Sequence, residues 1–207
     1  MMPKLPDYVG ESSYLRSRKL LKEAEIARER AVLIHLCSKL GAGYCDWHGA
    51  VEAFQHCFEL SLKSLWLMLG LSYPHNHNPA QDIDEVKKRL FLLFPHLEND
   101  PRFAEFESWV GRKGKFMAAL HQTSFYGDDD QKAASDMFNE EDVFKIGSDA
   151  ELCYRFVYVP LLDVGKRLGL LTEDEAKERE TLLNVVEELR KRPNEIARFF
   201  KEKVSEP

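Results

Sequence analysis

The stretch that decides the fold is residues 46–70, which have the sequence DWHGAVEAFQHCFELSLKSLWLMLG. Trp66, Leu67 and Met68 widen its apolar band until the last two turns have little polar surface. A helix that is apolar on nearly all sides is normally buried by several neighbours. We therefore predict that residues 46–70 form the central helix, or one shared between subunits. The positions that carry this prediction recur every three or four residues, the α-helical spacing: Val51, Phe54, Phe58, Leu62, Leu65 and Leu69.

The rest of the sequence also predicts helices, and no segment shows the alternation of a β-strand. Asn78 and Asp100 each precede a proline, which is a favourable way to begin a helix. Ser148 and Thr172 each have a glutamate three residues later and so form capping boxes. The predicted helices are residues 13–40, 46–70, 79–94, 101–122, 148–168 and 172–192, with a short helix after Pro193 and an acidic loop over 123–147.

The predicted fold class is therefore all-α. We expect a helical bundle over residues 1–171 and a C-terminal helical extension over residues 172–207, packed on the bundle or on a partner. Gly111 and Gly114 lie inside the fourth predicted helix, where glycine costs about 1 kcal/mol relative to alanine. A kink or a close contact is expected there.

Composition places the 207-residue chain among folded globular proteins, with 44% hydrophobic and 31% charged residues and a net charge of −6. Its longest apolar stretch is too short to span a membrane, and residues 1–20 show no apolar signal core. Four scattered cysteines suggest free thiols rather than a disulfide framework. These features predict a cytoplasmic protein with no membrane partner.

Residues 54–77 resemble the HEPN domain family. In that family an apolar helix carries a glutamine followed by a glutamate and a lysine that are four residues apart. A glycine ends this helix, and a histidine lies at the start of the next helix. A second stretch, residues 125–129 (FYGDD), is similar to the tyrosine-glycine-acid turn of many prokaryotic members. The resemblance covers about residues 14–170. In residues 54–77 the family's places are taken by Gln55, Glu59, Lys63, Gly70 and His77.

The resemblance implies an up-down helical bundle that forms a homodimer. Some members bind nucleotide or partner a nucleotidyltransferase, and others belong to toxin–antitoxin or defence systems. Many are ribonuclease toxins with an arginine and a histidine separated by four to six residues near the dimer cleft. In such a pair, imidazole acts as general acid or base while guanidinium holds the phosphate.

This chain is atypical because it lacks the arginine–histidine pair at the usual place. Arg112 lies too far before His121, and Pro95 interrupts the helix between Arg89 and His96. A third pair, Arg30 and His35, would point about 140° apart around a helix, so a packed histidine is expected at 35. No catalytic residue is therefore assigned. The nearest candidates are His121, Arg112, Arg89 and His96.

For binding, the resemblance and the side-chain chemistry together favour one set of residues, each with a structural alternative. The structural alternative for Glu59 and Lys63 is an ion pair that stabilises the helix. The structural alternative for His77 is a hydrogen bond at the start of a helix. His75 and His77 lack an obvious third metal ligand, so no metal and no cofactor is predicted. The expected binding residues are Glu59, Lys63, His77, His121, Ser124, Tyr126 and Asp128.

The predicted function is a HEPN-like module that binds RNA or nucleotide, or serves as an accessory to an antitoxin or nucleotidyltransferase partner. One alternative is a metal-independent endoribonuclease with an altered active site, built on His121 with Arg112 or Lys113, or on Arg89 with His96. A second alternative is a purely structural interaction protein. The missing pair favours a non-enzymatic module.

Overall fold

The computed structural model describes residues 5–39, 46–81, 83–126, 133 and 136–181. Within these ranges the protein is helical and contains no strand, which confirms the all-α prediction. None of the described helices has both the length and the apolar character needed to cross a bilayer. The elements are α1 (Glu11–Lys39), α2 (Trp47–Met68), α3 (Ile83–Leu93), a 3-10 turn (Pro95–Leu97), α4 (Pro101–Tyr126) and α5 (Glu140–Leu168), followed by helical residues 173–181.

Helix α2 is the central helix, as predicted. On the α1 side, the Ser17 hydroxyl donates a hydrogen bond to the Ser64 carbonyl (2.8 Å). On the α4 side, the rings of Phe58 and Trp109 lie 5.9 Å apart. On the α5 side, Cys153 Sγ lies 3.9 Å from the Phe58 carbonyl. Most residues of α2 are buried by these neighbours, so any polar side chain on it needs an internal partner.

Gly70 ends α2 in a left-handed conformation with φ of 67°. Its N–H bonds the Leu67 carbonyl and the next N–H bonds the Trp66 carbonyl, the pattern of a Schellman motif. A Cβ at this position would lie 2.5 Å from the Tyr8 carbonyl oxygen, so only glycine fits. The exit of α2 is thereby fixed, and it sets the path of the loop that follows.

Gly114 brings α4 against the segment that leads into α3. A Cβ at Gly114 would meet Ala80 Cβ and would lie 2.7 Å from Asn78 Oδ1. At Gly111, in contrast, a Cβ would find nothing within 4 Å. The expected close contact is thus confirmed at Gly114, and it holds α4 beside residues 78–80.

Helix α5 begins eight residues earlier than predicted. The Asn139 side-chain oxygen accepts hydrogen bonds from the N–H groups of Glu141 (2.8 Å) and Asp142 (3.2 Å). Asp142 in turn accepts from the Asn139 N–H (3.1 Å), which completes a capping arrangement. Ser148, predicted as the N-cap, instead bonds the Phe144 carbonyl inside the helix. The prediction was wrong because this cap lies within the acidic stretch interpreted as a loop.

The boundaries of α1, α3 and α4 also differ from the prediction, and α1 begins at Glu11 rather than Ser13. Helix α3 begins at Ile83 rather than Pro79, and α4 continues to Tyr126 rather than ending at Gln122. Within the predicted acidic loop, residues 127–132 lie outside the described residues.

The chain divides into two compact units, residues 1–161 and 162–207. In the second unit, Gly169 ends α5 with φ of 70°, and Thr172 and Glu175 form the predicted capping box. Arg179 pairs with Asp163 at 2.6 Å. Residues 182–207, including the predicted short helix after Pro193, lie outside the described residues, and the boundary at 171/172 stays a prediction.

Candidate functional site

A buried carboxylate, Glu59, lies in the middle of α2. Its side chain is 6% exposed and is surrounded by donors. Gln55 Nε2 donates to Oε2 (3.0 Å), Lys63 Nζ donates to Oε1 (2.5 Å), and His77 Nδ1 lies 3.1 Å from Oε2. Gln55 and Lys63 reach the carboxylate because residues four apart share one face of a helix. His77 comes from the loop after α2, so the group joins separate parts of the chain.

The donors around Glu59 keep it ionised. Burial raises the pKa of the Glu59 carboxyl, but hydrogen bonds from Lys63 and His77, together with the Lys63 charge, outweigh burial and lower that pKa below its ordinary value. An ionised carboxylate can only accept hydrogen bonds. His77 Nδ1 must therefore carry the proton in this contact, and in the neutral ring Nε2 is left with a lone pair.

The loop that carries His77 is fastened to α2 and to itself. Trp66 Nε1 donates to the Pro79 carbonyl (2.8 Å), and the Asn78 N–H donates to the Asn76 side-chain oxygen (3.0 Å). The His77 side chain is nevertheless 52% exposed. A ring held by a buried carboxylate but open to solvent on its other side is suited to contact a ligand.

His121 on α4 completes the group by stacking on His77. The ring centroids lie 3.6 Å apart with an interplanar angle of 22°. Burial and the neighbouring His77 hold the pKa of His121 below its ordinary value, and they outweigh Glu59 and Glu52, which raise it. His121 is therefore largely neutral at neutral pH. We refer to Gln55, Glu59, Lys63, His77 and His121 as the Glu59 cluster.

The edge of the Glu59 cluster is aromatic and basic. Lys63 Nζ lies 5.3 Å from the centre of the Tyr73 ring, and Tyr73 meets His75 edge to face at 5.7 Å. Flat rings can stack on a nucleobase, while imidazolium and ammonium groups attract phosphate. Within the described residues there is no group of three or more His, Cys, Asp or Glu side chains able to hold a metal ion.

Four of the predicted binding residues come together in the Glu59 cluster: Glu59, Lys63, His77 and His121. The side chains of Ser124 and Tyr126, and the whole of Asp128, lie outside the described residues. Whether any of the seven binds a ligand stays a prediction. Gln55 was not among the predicted binding residues, although its place four residues before Glu59 could have indicated it.

The other candidate catalytic residues, Arg89, Arg112 and His96, are not members of the Glu59 cluster. Arg89 donates to the Leu69 carbonyl at the end of α2 (3.0 Å). Arg112 bonds Ser108, and His96 is exposed in the 3-10 turn. Among the described residues, no hydrogen bond, ion pair or ring contact links these three side chains to the Glu59 cluster or joins Arg89 to His96. Whether any of them takes part in catalysis stays a prediction.

His35 is the packed histidine expected from sequence. Its ring lies 5.6 Å from that of Trp47 and 5.3 Å from that of Phe144. Arg30, its predicted alternative partner, is exposed on α1. The expected packing of His35 is confirmed.

Comparison with known proteins gives one match. The family model described as HEPN domain matches residues 17–159, a range that contains the entire Glu59 cluster. No curated protein and no solved structure matches the chain.

Proposed function

The chain belongs to the HEPN domain family, and on that premise we propose that it is an accessory module that binds RNA or nucleotide through the Glu59 cluster. The observation that supports this most is the meeting of Glu59, His77 and His121 from α2, a loop and α4. A buried carboxylate that only stabilised α2 would be satisfied by its helical neighbours. Here it also positions a half-exposed imidazole.

The proposed ligand contacts follow from the chemistry of these side chains. The exposed ring of His77 and the nearby Tyr73 offer faces for base stacking, which is worth about 1–3 kcal/mol per base. Protonated imidazole supplies hydrogen bonds and charge for phosphate oxygens, and Lys63, which is paired with Glu59, adds a positive charge nearby. Glu59 positions His77 and does not itself contact the anion.

Fluorescence anisotropy of a labelled single-stranded RNA of about ten nucleotides tests this proposal. His77→Ala should weaken binding about tenfold, the equivalent of one lost stacking or charged contact. His48→Gln is the matched control, because His48 lies on α2 about 16 Å before Glu59. Loss of affinity in His48→Gln but not in His77→Ala, or no binding by the wild type, would rule the proposal out.

A second candidate function is metal-independent RNA cleavage by the same cluster. The observation that favours it is the different environments of the two imidazoles: His77 bonds a carboxylate, while the pKa of His121 is lowered by burial and by His77. Such a difference can provide a general acid and a general base. Incubation with RNA in EDTA distinguishes the two candidates. Cleavage that disappears in both His77→Ala and His121→Ala supports the enzyme, and intact RNA supports the binding module.

We also propose a homodimer, formed through an exposed apolar stripe on α1. Ile26, Leu33 and Leu36 are 52%, 62% and 46% exposed, and their spacing of seven and three residues places them on one side of the helix. Adjacent exposed apolar side chains often mark protein–protein contacts. Sedimentation velocity should show a dimer that Leu33→Lys dissociates. Leu92→Lys on α3, 67% exposed in the wild type, is the control and should leave the dimer intact.

We further propose that this accessory module acts in a toxin–antitoxin or defence system. An accessory module of this kind needs a cognate protein, such as a nucleotidyltransferase or an antitoxin. Co-expression with the product of the neighbouring gene should give a complex that survives gel filtration. Separate elution of the two proteins would argue against this partner.

A further inference from the structure

The charges at the Glu59 cluster are unfavourable for an anion when the imidazoles are neutral. Helix α2 contributes two carboxylates, Glu52 and Glu59, and one ammonium group, Lys63, so the fixed charge is 1 − 2 = −1. Lys63 Nζ is engaged with Glu59. Among the described residues, the other titratable side chains that act on His121 are the imidazoles of His56 on α2 and His77 in the loop. These α2 side chains therefore offer a phosphodiester no net attraction, and protons taken up by the imidazoles would supply it.

We propose that the Glu59 cluster binds phosphate together with protons, so that its affinity for RNA is controlled by pH. This inference rests on the proposed function, because the same side chains contact the RNA. It adds a regulatory property that binding alone does not require.

The stack of His77 on His121 provides the coupling. Two imidazolium rings 3.6 Å apart repel each other, so the pair resists a second proton in the absence of a counter-charge. Glu59 supplies a counter-charge where it meets His77 Nδ1, and Glu59 and Glu52 also favour the charged form of His121, but burial and His77 outweigh them. A phosphate beside the exposed His77 ring adds further negative charge. RNA binding and proton uptake then favour each other by the same factor.

Isothermal titration calorimetry of the full chain with single-stranded RNA at pH 5.5, 6.5 and 7.5 tests the inference. The RNA should lack terminal phosphates, because a phosphate monoester has its own pKa near 6 whereas phosphodiesters do not titrate in this range. Repeating each titration in two buffers of different ionisation enthalpy counts the protons taken up. We expect at least one proton to be taken up when RNA binds. For each proton taken up, the affinity for RNA should rise by up to about tenfold for every unit by which the pH falls.

His121→Gln keeps a polar side chain on α4 but cannot be protonated. It should bind RNA with a smaller pH dependence and with fewer protons taken up. His48→Gln should retain the full wild-type pH dependence, which separates this effect from the general gain of positive charge at low pH. The proton count on the wild-type protein needs no variant, so the test holds even if His121→Gln is poorly folded.

The outcomes separate the inference from the proposed function. Cluster-dependent RNA binding with no proton uptake would overturn the inference and leave the proposed function standing. RNA binding that neither His77→Ala nor His121→Gln alters, or no binding at any pH, would overturn both. Uptake of protons that is lost in His121→Gln and kept in His48→Gln supports the inference.

Discussion

Replacing Gly114 by alanine should destabilise the protein, although alanine favours helices. The added Cβ would meet Ala80 Cβ and would lie 2.7 Å from Asn78 Oδ1. The Cβ of an alanine is fixed to the backbone, so relief requires α4 to move away from residues 78–80. That movement should also loosen the stack of His121 on His77 and weaken RNA binding.

The magnitude can be worked out by comparison with Gly111→Ala on the same helix. Both substitutions gain about 1 kcal/mol of helix propensity. At Gly111 the new Cβ meets nothing within 4 Å, so that gain should appear as increased stability. At Gly114 overpacking costs about 1–3 kcal/mol. The propensity terms cancel between the two variants, so the Gly114 variant should be less stable than the Gly111 variant by about 1–3 kcal/mol. Relative to the wild type, the gain in propensity leaves a net loss of up to about 2 kcal/mol for Gly114→Ala.

Urea unfolding followed by circular dichroism measures this difference. The unfolding midpoint should fall in Gly114→Ala and rise in Gly111→Ala, with the same dependence of free energy on urea concentration in both. Equal stability of the two variants would show that α4 does not pack on residues 78–80 as described, and the geometry of the Glu59 cluster would then be wrong.

Three further predictions concern ion pairing, thiol reactivity and pH. Glu151→Gln should lower the free energy of unfolding by about 1–3 kcal/mol, because it weakens the partly buried pair with Arg28; urea unfolding measures this. A thiol reagent should modify Cys37 quickly, because it is exposed, and Cys57 only on unfolding, because burial raises its thiol pKa to about 12. Stability should fall as pH drops below 6.5, because the lowered pKa of His121 makes the unfolded chain bind that proton more readily.

Each of these predictions has a control. Glu141→Gln removes an exposed pair with Lys145 and should leave the unfolding midpoint unchanged, whereas equal effects at the two glutamates would contradict the first prediction. Thiol labelling should use a Cys45→Ser background, since Cys45 lies outside the described residues; rapid reaction of every remaining thiol in the folded protein would refute the second. His121→Gln should reduce the loss of stability between pH 7.5 and 5.5, and an unchanged loss would refute the third.

The parts of the structure that could be predicted from sequence are those set by local spacing. The apolar period of α2 indicated its central position, and the four-residue step from Glu59 to Lys63 indicated their pairing. The stack of His77 on His121 could not be derived in this way, because the two residues are 44 positions apart and meet only through tertiary packing. The family resemblance supplied His77 as a candidate, but not its hydrogen bond to a buried carboxylate.

The start of α5 shows a different reason for failure. The stretch before Ser148 is rich in acidic residues, and such composition is typical of a solvated loop. In the structure three of those acids, Glu140, Glu141 and Asp142, lie in the first turn of the helix, where they suit the positive end of the helix dipole. The acidic composition therefore favoured a loop and gave no indication that Asn139 caps a helix.

The central claim is that the Glu59 cluster is the ligand-binding surface of this protein. Its most direct test is an NMR titration that follows the imidazole nitrogens of ¹⁵N-histidine-labelled protein as single-stranded RNA is added. We predict that the signals of His77 and His121 shift with RNA concentration, while the signal of His48 does not. Shifts confined to other histidines, or no shift at RNA concentrations that saturate binding, would contradict the account.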